Sequence, residues 1–534
     1  MIKKELHPLH LEWFQFGIIL LFSLIPLFVQ FPFKINLFLA WEGAYRISLG
    51  QIPFKDFSLP IGFGFWILPA LFFKVFGPTL YTLIITQVFI NIIGALAFRS
   101  ILKKLGVDPA IVFLSLLVYC ISFVFVNFWP WYNNSVFIFE LIGINFLLRH
   151  IFEESGRKKI TLLALACFFL VLSFFTKQDG GGLAILTASA LLFYVALVEK
   201  KIKWILYYTG FSFVFTLLFV LPFLPFDFLY WFNHGQAPHN PRTNLNDILT
   251  DVFEGSQWIK FYLLVVLVII IQKVNSSKDY FLSKREMLFA LLTVCILGQA
   301  LLVQVTSYIP HNVNIYFHSM AFAFVAYSTI KVGGNKTWVI ASISLLILFW
   351  WSADYWRYGK RIIDRISPGL LETQKSSSQV SKYTWLIGDT AMAEKKINWK
   401  TCDYKSFKNV LLPEETIRGI DAIMSLDIVK SKKLKVLNMS ELTPLAYEIG
   451  YEPLKNQPMW YHRNVSIFDK EILKFCEEIR FHEYDLVLFE EIPYLNQFYP
   501  EEIRKSLQKE YKLVDSFIAP REKAGAYIEV YVKP

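Results

Sequence analysis

The chain has 534 residues, of which 55% are hydrophobic and 18% are charged, and its mean hydropathy is +0.43. Soluble globular proteins average about 25% charged residues, so this composition disfavours a soluble protein. The low charge content also excludes an intrinsically disordered chain. The formal net charge of +10 would fit a nucleic acid or an anionic membrane surface as partner, and the positions of the charges decide between these options.

The excess of positive charge lies in the hydrophobic part of the chain. Residues 378–534 hold 23 Lys/Arg and 24 Asp/Glu, which leaves 30 basic and 19 acidic residues for the remainder. Apolar runs separate these basic residues, and no basic stripe forms. We therefore predict that no nucleic acid is a partner.

Eleven apolar runs are candidates for membrane-spanning helices, each of which needs about 20 mostly apolar residues. They are centred on residues 13–30, 79–98, 111–128, 135–148, 160–175, 182–198, 204–224, 261–272, 287–305, 316–330 and 338–351. With the N-terminus inside, the inner connections carry 18 Lys/Arg and the outer connections carry 7. Because positive residues accumulate on the cytoplasmic side, we predict a multi-pass protein of the inner (plasma) membrane. Its N-terminus is then cytoplasmic and its C-terminal region extracytoplasmic.

The first external connection, residues 32–77, contains more than a simple loop. An amphipathic stretch at 41–49 is followed by a polar stretch at 51–58 and an apolar stretch at 62–76. The apolar stretch has about fifteen residues, which is short for a span and favours an interfacial or re-entrant helix.

The composition changes from residue 362 onward, where strand-like and helix-like segments alternate. The strands are predicted at 434–437, 485–489, 511–517 and 526–532, and the helices at 414–426, 441–449, 469–480 and 500–510. Within this region, Ser440 is predicted to cap a helix that Gly450 ends. The predicted fold class is therefore a polytopic α-helical membrane protein of about 11 transmembrane helices (residues 1–361), followed by a C-terminal soluble α/β domain (residues 362–534).

Three acidic residues are candidates for chemistry. Glu42 lies in the amphipathic stretch, where a low-dielectric environment would raise its pKa as a general base requires; the alternative is the polar face of an interfacial helix. Asp56 follows Lys55 in the same connection. Glu140 lies inside the fourth predicted span, and such an acid faces either a cavity or a polar partner on another helix. The candidate partners are Gln87, Asn91, Asn145, Gln299 and Gln304.

Basic residues are scarce outside, so each is a candidate anion ligand. Lys177 begins the turn Lys177-Gln178-Asp179-Gly180-Gly181, which suits a lipid-linked phosphate at headgroup level. The alternative is an interfacial lysine that extends to water. Arg242 ends a polar external loop that contains Pro238-His239-Asn240, and this tripeptide recurs as Pro310-His311-Asn312.

Nucleotide chemistry has no support in the sequence. The chain contains no Asp-x-Asp pair, no Walker A motif and no dinucleotide-binding glycine pattern. No Cys/His spacing resembles a zinc site, and we predict no metal ligands.

Two segments resemble the membrane glycosyltransferases of the GT-C class, which includes aminoarabinose transferases and protein O-mannosyltransferases. The first is Trp41-Glu42-Gly43-Ala44-Tyr45 together with Gly50-Gln51-Ile52-Pro53-Phe54-Lys55-Asp56-Phe57, and the second is Phe175-Thr176-Lys177-Gln178. Residues 436–450 and 484–489 are similar to the extracytoplasmic domain that many members carry. Two positions differ from the family pattern: the first-loop acid is Glu42 rather than Asp, and the second external loop, 127–135, has no acid.

The resemblance implies a glycosyltransferase that moves a sugar, with inversion, from a polyprenyl-phosphate donor to a hydroxyl of a glycan, lipid or protein acceptor. It acts at the outer membrane surface, among membrane lipids. A divalent metal stays an option. Either Glu140 replaces the missing second acid, or the site works with a single acid. The implied roles are catalysis for Glu42, Asp56 and Glu140, donor phosphate binding for Lys177, Arg242 and Gln178, and acceptor or sugar binding for His239, His311 and Tyr45.

A transporter or flippase of lipid-linked sugars is the alternative function. Such proteins are typically built from inverted repeats with polar residues near the middle of the membrane. This chain shows no internal repeat, and its polar candidates cluster toward the outer face.

Overall fold

The computed structural model describes residues 8–34, 36–226, 257–307, 316–330, 397–430, 434–464, 466–495, 498–521 and 525–534, with single residues between 228 and 254 and between 341 and 367. Residues 1–328 and 398–534 form one compact unit, and Thr329–Ile397 forms a second. The predicted domain boundary after residue 361 falls in the second unit, of which isolated residues are described.

The first part of the chain is helical. In the described residues its helices are α1 Pro8–Leu24, α2 Leu37–Ser48, α3 Gly64–Phe76, α4 Leu80–Lys104, α5 Pro109–Tyr119, α6 Tyr132–Ile151, α7 Gly156–Phe174, α8 Gln178–Glu199, α9 Lys203–Val220, α10 Gln257–Ser276, α11 Lys284–Ser307 and α12 Phe317–Ile330. Six of the described helices are long and apolar enough to cross a membrane.

Ten of the eleven predicted spans overlap a described helix, and the eleventh, 338–351, lies almost wholly outside the described residues. The third span is α5 continued by a π-helical turn, Cys120–Val124. Helix α3 is the predicted short apolar helix of the first external connection, and it has 13 residues. Its side chains Leu71, Val75 and Phe76 are exposed, which leaves an apolar face of the kind that contacts lipid.

The C-terminal region is an α/β domain, as predicted. Its strands are β3 Trp399–Lys400, β4 Val410–Pro413, β5 Val436–Met439, β6 Gln457–Pro458, β7 Leu486–Glu491, β8 Lys512–Ile518 and β9 Tyr527–Val532, and its helices are α13 Glu414–Ser425, α14 Leu445–Ile449, α15 Asp469–Arg480 and α16 Glu501–Glu510. A four-stranded sheet has the order β5-β7-β9-β8, with β5 and β7 parallel and the other pairs antiparallel. Helix α15 buries Ile472, Phe475 and Ile479, which the helical period places on one side.

Ser440 does not cap a helix, so this part of the prediction is wrong. Its hydroxyl donates to Asn438 Oδ1 (2.6 Å) and accepts from the amide of Leu442 (3.2 Å). The side chain therefore holds a turn after β5, and α14 begins later, at Leu445. Gly450 does end the helix, in the left-handed conformation that glycine adopts easily.

The first external connection pairs with the C-terminal domain through two short parallel ladders. Strand β1, Phe31–Pro32, pairs with β4 in register Phe31–Val410. Strand β2, Phe57–Ser58, pairs with β6 in register Phe57–Gln457. The C-terminal domain is thus joined by backbone hydrogen bonds to both ends of the segment that carries Glu42.

Candidate active site

Helix α2 buries an ion pair between Glu42 and Arg46. The two residues are four apart and therefore lie on the same side of the helix, with exposed fractions of 8% and 2%. Arg46 Nε donates to Glu42 Oε1 at 2.8 Å, and Nη2 lies 2.7 Å from the same oxygen. Glu42 is therefore not the polar face of a surface helix, the alternative considered from the sequence.

A cavity lies where α2 meets the C-terminal domain. It is lined by Glu42 and Arg46 from α2 and, from the C-terminal domain, by Val436, Asn438, Thr443, Ala446, Tyr451, Pro453, Leu454, Gln457 and Tyr461. Glu42 Oε1 takes both contacts from Arg46. Among the described residues, none forms a hydrogen bond with Oε2. This second oxygen is the one left for a ligand in the cavity.

The environment of the Glu42 carboxyl changes its pKa. Burial raises the pKa of the Glu42 carboxyl above its usual value, and the Arg46 guanidinium offsets part of that rise. A buried charge that keeps one paired oxygen and one free oxygen can accept a proton from a bound hydroxyl.

Asp56 and Tyr45 lie close in sequence to this site but have other contacts. Asp56 Oδ2 accepts from the amide of Ile52 at 2.8 Å, and its backbone carbonyl accepts from Asn456 at 2.6 Å. These contacts orient the first loop, and the catalytic role that the resemblance implies for Asp56 stays a prediction. Tyr45 packs on Trp41 with ring centroids 4.6 Å apart, and it does not line the cavity.

Lys177 is the residue that immediately precedes α8. The side chain is buried, and Nζ lies 3.0 Å from Asp179 Oδ2. The next residue, Gln178, donates through Nε2 to the carbonyl oxygens of Phe232 (2.6 Å) and Pro60 (3.4 Å). A lysine at a helix N-terminus combines its own charge with the positive end of the helix dipole, which suits an anion.

Glu140 belongs to the same region as the lysine turn. Gln299 of α11 donates through Nε2 to Glu140 Oε2 (2.7 Å) and to the carbonyl of Gly180 (3.2 Å). The predicted polar partner of Glu140 is therefore Gln299. Through it, the intramembrane acid is connected to the first turn of α8.

Two glycines bring the first connection against the lysine turn. The amide of Gly64 donates to the carbonyl of Phe175 at 2.8 Å. A Cβ added at Gly62 would lie 1.8 Å from the same carbonyl oxygen, so the two backbones meet where a side chain has no room. The part of the first external connection that follows Phe57 is thus in contact with the lysine segment, although Lys177 does not line the cavity that contains Glu42.

Other predicted site residues lie outside the described residues: Arg242, His239 and His311. Within the described part of the chain, no three His, Cys, Asp or Glu side chains converge as a metal site would require. Sequence reasoning missed Arg46 and Gln51 as site residues, because their decisive partners are distant in the chain.

Comparisons with known proteins identify the fold. No family model matches the chain, and no curated protein matches it in sequence. The crystal structure of ArnT from Cupriavidus metallidurans in the apo state matches over 96% of both chains, with a TM-score of 0.50 and 10% identity. A crystal structure of the same ArnT bound to undecaprenyl phosphate matches with a TM-score of 0.45 and 12% identity, over 62% of this chain and 62% of that chain. The chain therefore has an ArnT-like fold, and the fold class predicted from the sequence is confirmed.

Proposed function

We propose that the protein is a membrane glycosyltransferase that moves a sugar from a polyprenyl-phosphate donor to an acceptor hydroxyl on the extracytoplasmic side. One observation carries the proposal: a buried glutamate with one free oxygen faces a cavity between the first external connection and the C-terminal domain. The ArnT-like fold supports the same class of protein.

In the proposed reaction, Glu42 Oε2 takes the proton of the acceptor hydroxyl. The hydroxyl oxygen then attacks the anomeric carbon from the face opposite the phosphate. A new carbon–oxygen bond forms as the bond from the anomeric carbon to the phosphate oxygen breaks, so the configuration inverts. Polyprenyl phosphate leaves with the bonding electrons, and its charge requires stabilisation by nearby cations.

Lys177 is the proposed source of that stabilisation. Because Lys177 does not line the Glu42 cavity, this role requires the donor to extend from the cavity to the start of α8. Its ammonium is buried at the N-terminus of α8, where an ion is less screened than in water. Asp179 is the ion-pair partner of the ammonium. In the same turn, the Gly180 carbonyl accepts from Gln299, which also donates to Glu140. Arg242 belongs to the same proposed group of phosphate ligands, and His239 and His311 stay proposed acceptor or sugar ligands.

The test is a reconstitution of the purified protein in liposomes with a panel of polyprenyl-phosphate sugars. The proposal predicts cleavage of one donor, seen as free polyprenyl phosphate, when a suitable acceptor is present. Translocation of intact sugar lipid across the bilayer without cleavage would instead establish the alternative, a flippase. Lys177→Ala should weaken donor binding, measured by competition with unlabelled donor.

A further inference from the structure

Arg46 is bound on every side of its guanidinium. Besides the two contacts with Glu42 Oε1, its Nη1 donates to Gln51 Oε1 (3.0 Å) and to the backbone carbonyl of Leu454 (2.7 Å). Such a planar group with several fixed donors holds its partners in one geometry, which lysine cannot reproduce.

Gln51 extends the same network. Its Oε1 accepts from Arg46, and its Nε2 donates to the backbone carbonyl of Pro453 at 2.8 Å. Both residues therefore bind adjacent carbonyls of the C-terminal domain, and both are buried. The neighbouring β2–β6 ladder fixes the same segment, because Gln457 pairs with Phe57.

We propose that Arg46 and Gln51 form a positioning clamp. The clamp holds the free oxygen of Glu42 toward the cavity only while both side chains are hydrogen-bonded to the Pro453–Leu454 segment. The inference rests on the proposed function, since the clamp is proposed to position Glu42, the base of that reaction. The C-terminal domain then contributes to the reaction through two backbone carbonyls, in addition to the side chains that line the cavity.

The clamp has a kinetic signature that a phosphate ligand lacks. Each of the three guanidinium nitrogens of Arg46 already contacts Glu42, Gln51 or Leu454. Loss of the clamp should therefore lower kcat and leave the KM for the donor unchanged. A misplacement of about 1 Å costs up to about a hundredfold in rate, so we expect kcat to fall at least about tenfold.

The experiment compares Arg46→Lys and Gln51→Met with the wild-type protein, using donor cleavage in liposomes. Arg99→Lys is the matched control, because Arg99 forms a similar contact with Gln15 (2.7 Å) and an ion pair with Glu12 (3.5 Å) on other helices. Each variant is first checked for a monodisperse peak and a thermal transition in detergent. The pH dependence of kcat is recorded for all of them.

The inference predicts lower kcat with unchanged donor KM in both clamp variants, and an acid limb displaced to higher pH in Arg46→Lys, where Glu42 loses its close partner. In the background of Glu42→Gln, adding Arg46→Lys should cost no further activity.

A raised donor KM, or a further tenfold loss in the double variant, would overturn the clamp. If Gln51→Met folds and keeps wild-type kcat, the clamp is also overturned even where Arg46→Lys fails to fold. Full activity of Glu42→Gln would instead refute the base assignment in the proposed function.

Discussion

Glu42 differs from a surface glutamate because its two oxygens have different surroundings. Oε1 is held by Arg46, whereas Oε2 has no partner among the described residues. The sequence predicts an acid in an apolar setting at this position, since Trp41, Gly43 and Ala44 surround it. The partner carbonyls of Pro453 and Leu454 could not be predicted, because every residue has a carbonyl and they lie about four hundred positions away in the chain.

The pH dependence of the reaction follows from the environment of Glu42. A general base works in its ionised form, and burial raises the pKa of Glu42 above the usual 4.5. As the pH falls through that raised pKa, the carboxylate takes up a proton and kcat/KM declines. We expect the midpoint of this acid limb above 4.5, measured from initial rates of donor cleavage. A rate that stays constant down to pH 4.5 would contradict the role of Glu42 as base.

The elements of the C-terminal domain are well predicted where periodicity is clear. The predicted helix at 469–480 has the observed bounds of α15, Asp469–Arg480, because its apolar residues follow one helical side and acidic residues occupy its first turn. The predicted helix at 441–449 is too long at its start. Serine is a common helix-capping residue, but the hydroxyl of Ser440 donates to Asn438 instead, and the chain turns before α14 begins.

The short ladders between the first connection and the C-terminal domain could not be predicted. Strands β1, β2 and β6 have two residues each, too few to show an alternating pattern. Their formation depends on tertiary packing, since the partner strands lie hundreds of residues apart. Local sequence carries little information about pairings of this kind.

The contact between the first connection and the lysine turn can be tested at Gly62. A Cβ there would lie 2.0 Å from the backbone carbon of Phe175, which cannot rotate away as a side chain could. We expect Gly62→Ala to cost about 1–3 kcal/mol of stability, the typical cost of overpacking, and to lower donor cleavage. The measurement is thermal unfolding in detergent together with the transfer rate.

Gly210→Ala is the matched control for Gly62→Ala. Gly210 lies in α9, and a Cβ added there meets no atom within 4 Å. Its replacement should leave the transition temperature equal to or above that of the wild type, since alanine favours the helix. Equal stability and activity of the two variants would show that the close backbone contact at Phe175 contributes to neither stability nor the transfer rate.

Across the whole chain, positive charge is distributed unevenly. The hydrophobic part carries the positive excess, and the C-terminal domain is nearly neutral. We propose that most of these cations face the cytoplasm and that the C-terminal domain lies outside with the cavity. The ladders that join this domain to the first connection require both to lie on the same side of the membrane.

Single cysteines test this orientation in a background without the five native cysteines. Lys158→Cys and Lys470→Cys replace exposed lysines in the first turns of α7 and α15, respectively. A maleimide that cannot cross membranes should label the cysteine at 470 in intact spheroplasts, and the cysteine at 158 only after permeabilisation. The reverse pattern would place the cavity in the cytoplasm and contradict the proposed orientation.

The most direct test of the central claim is the release of polyprenyl phosphate by Glu42→Gln in liposomes that contain donor and acceptor. Glu12→Gln serves as the control, because it makes the same chemical change in an ion pair with Lys103 on other helices. We expect Glu42→Gln to bind the donor like the wild type but to release polyprenyl phosphate at least about a hundredfold more slowly, the scale of a lost general base. Release at the rate of the wild type and of Glu12→Gln would contradict it.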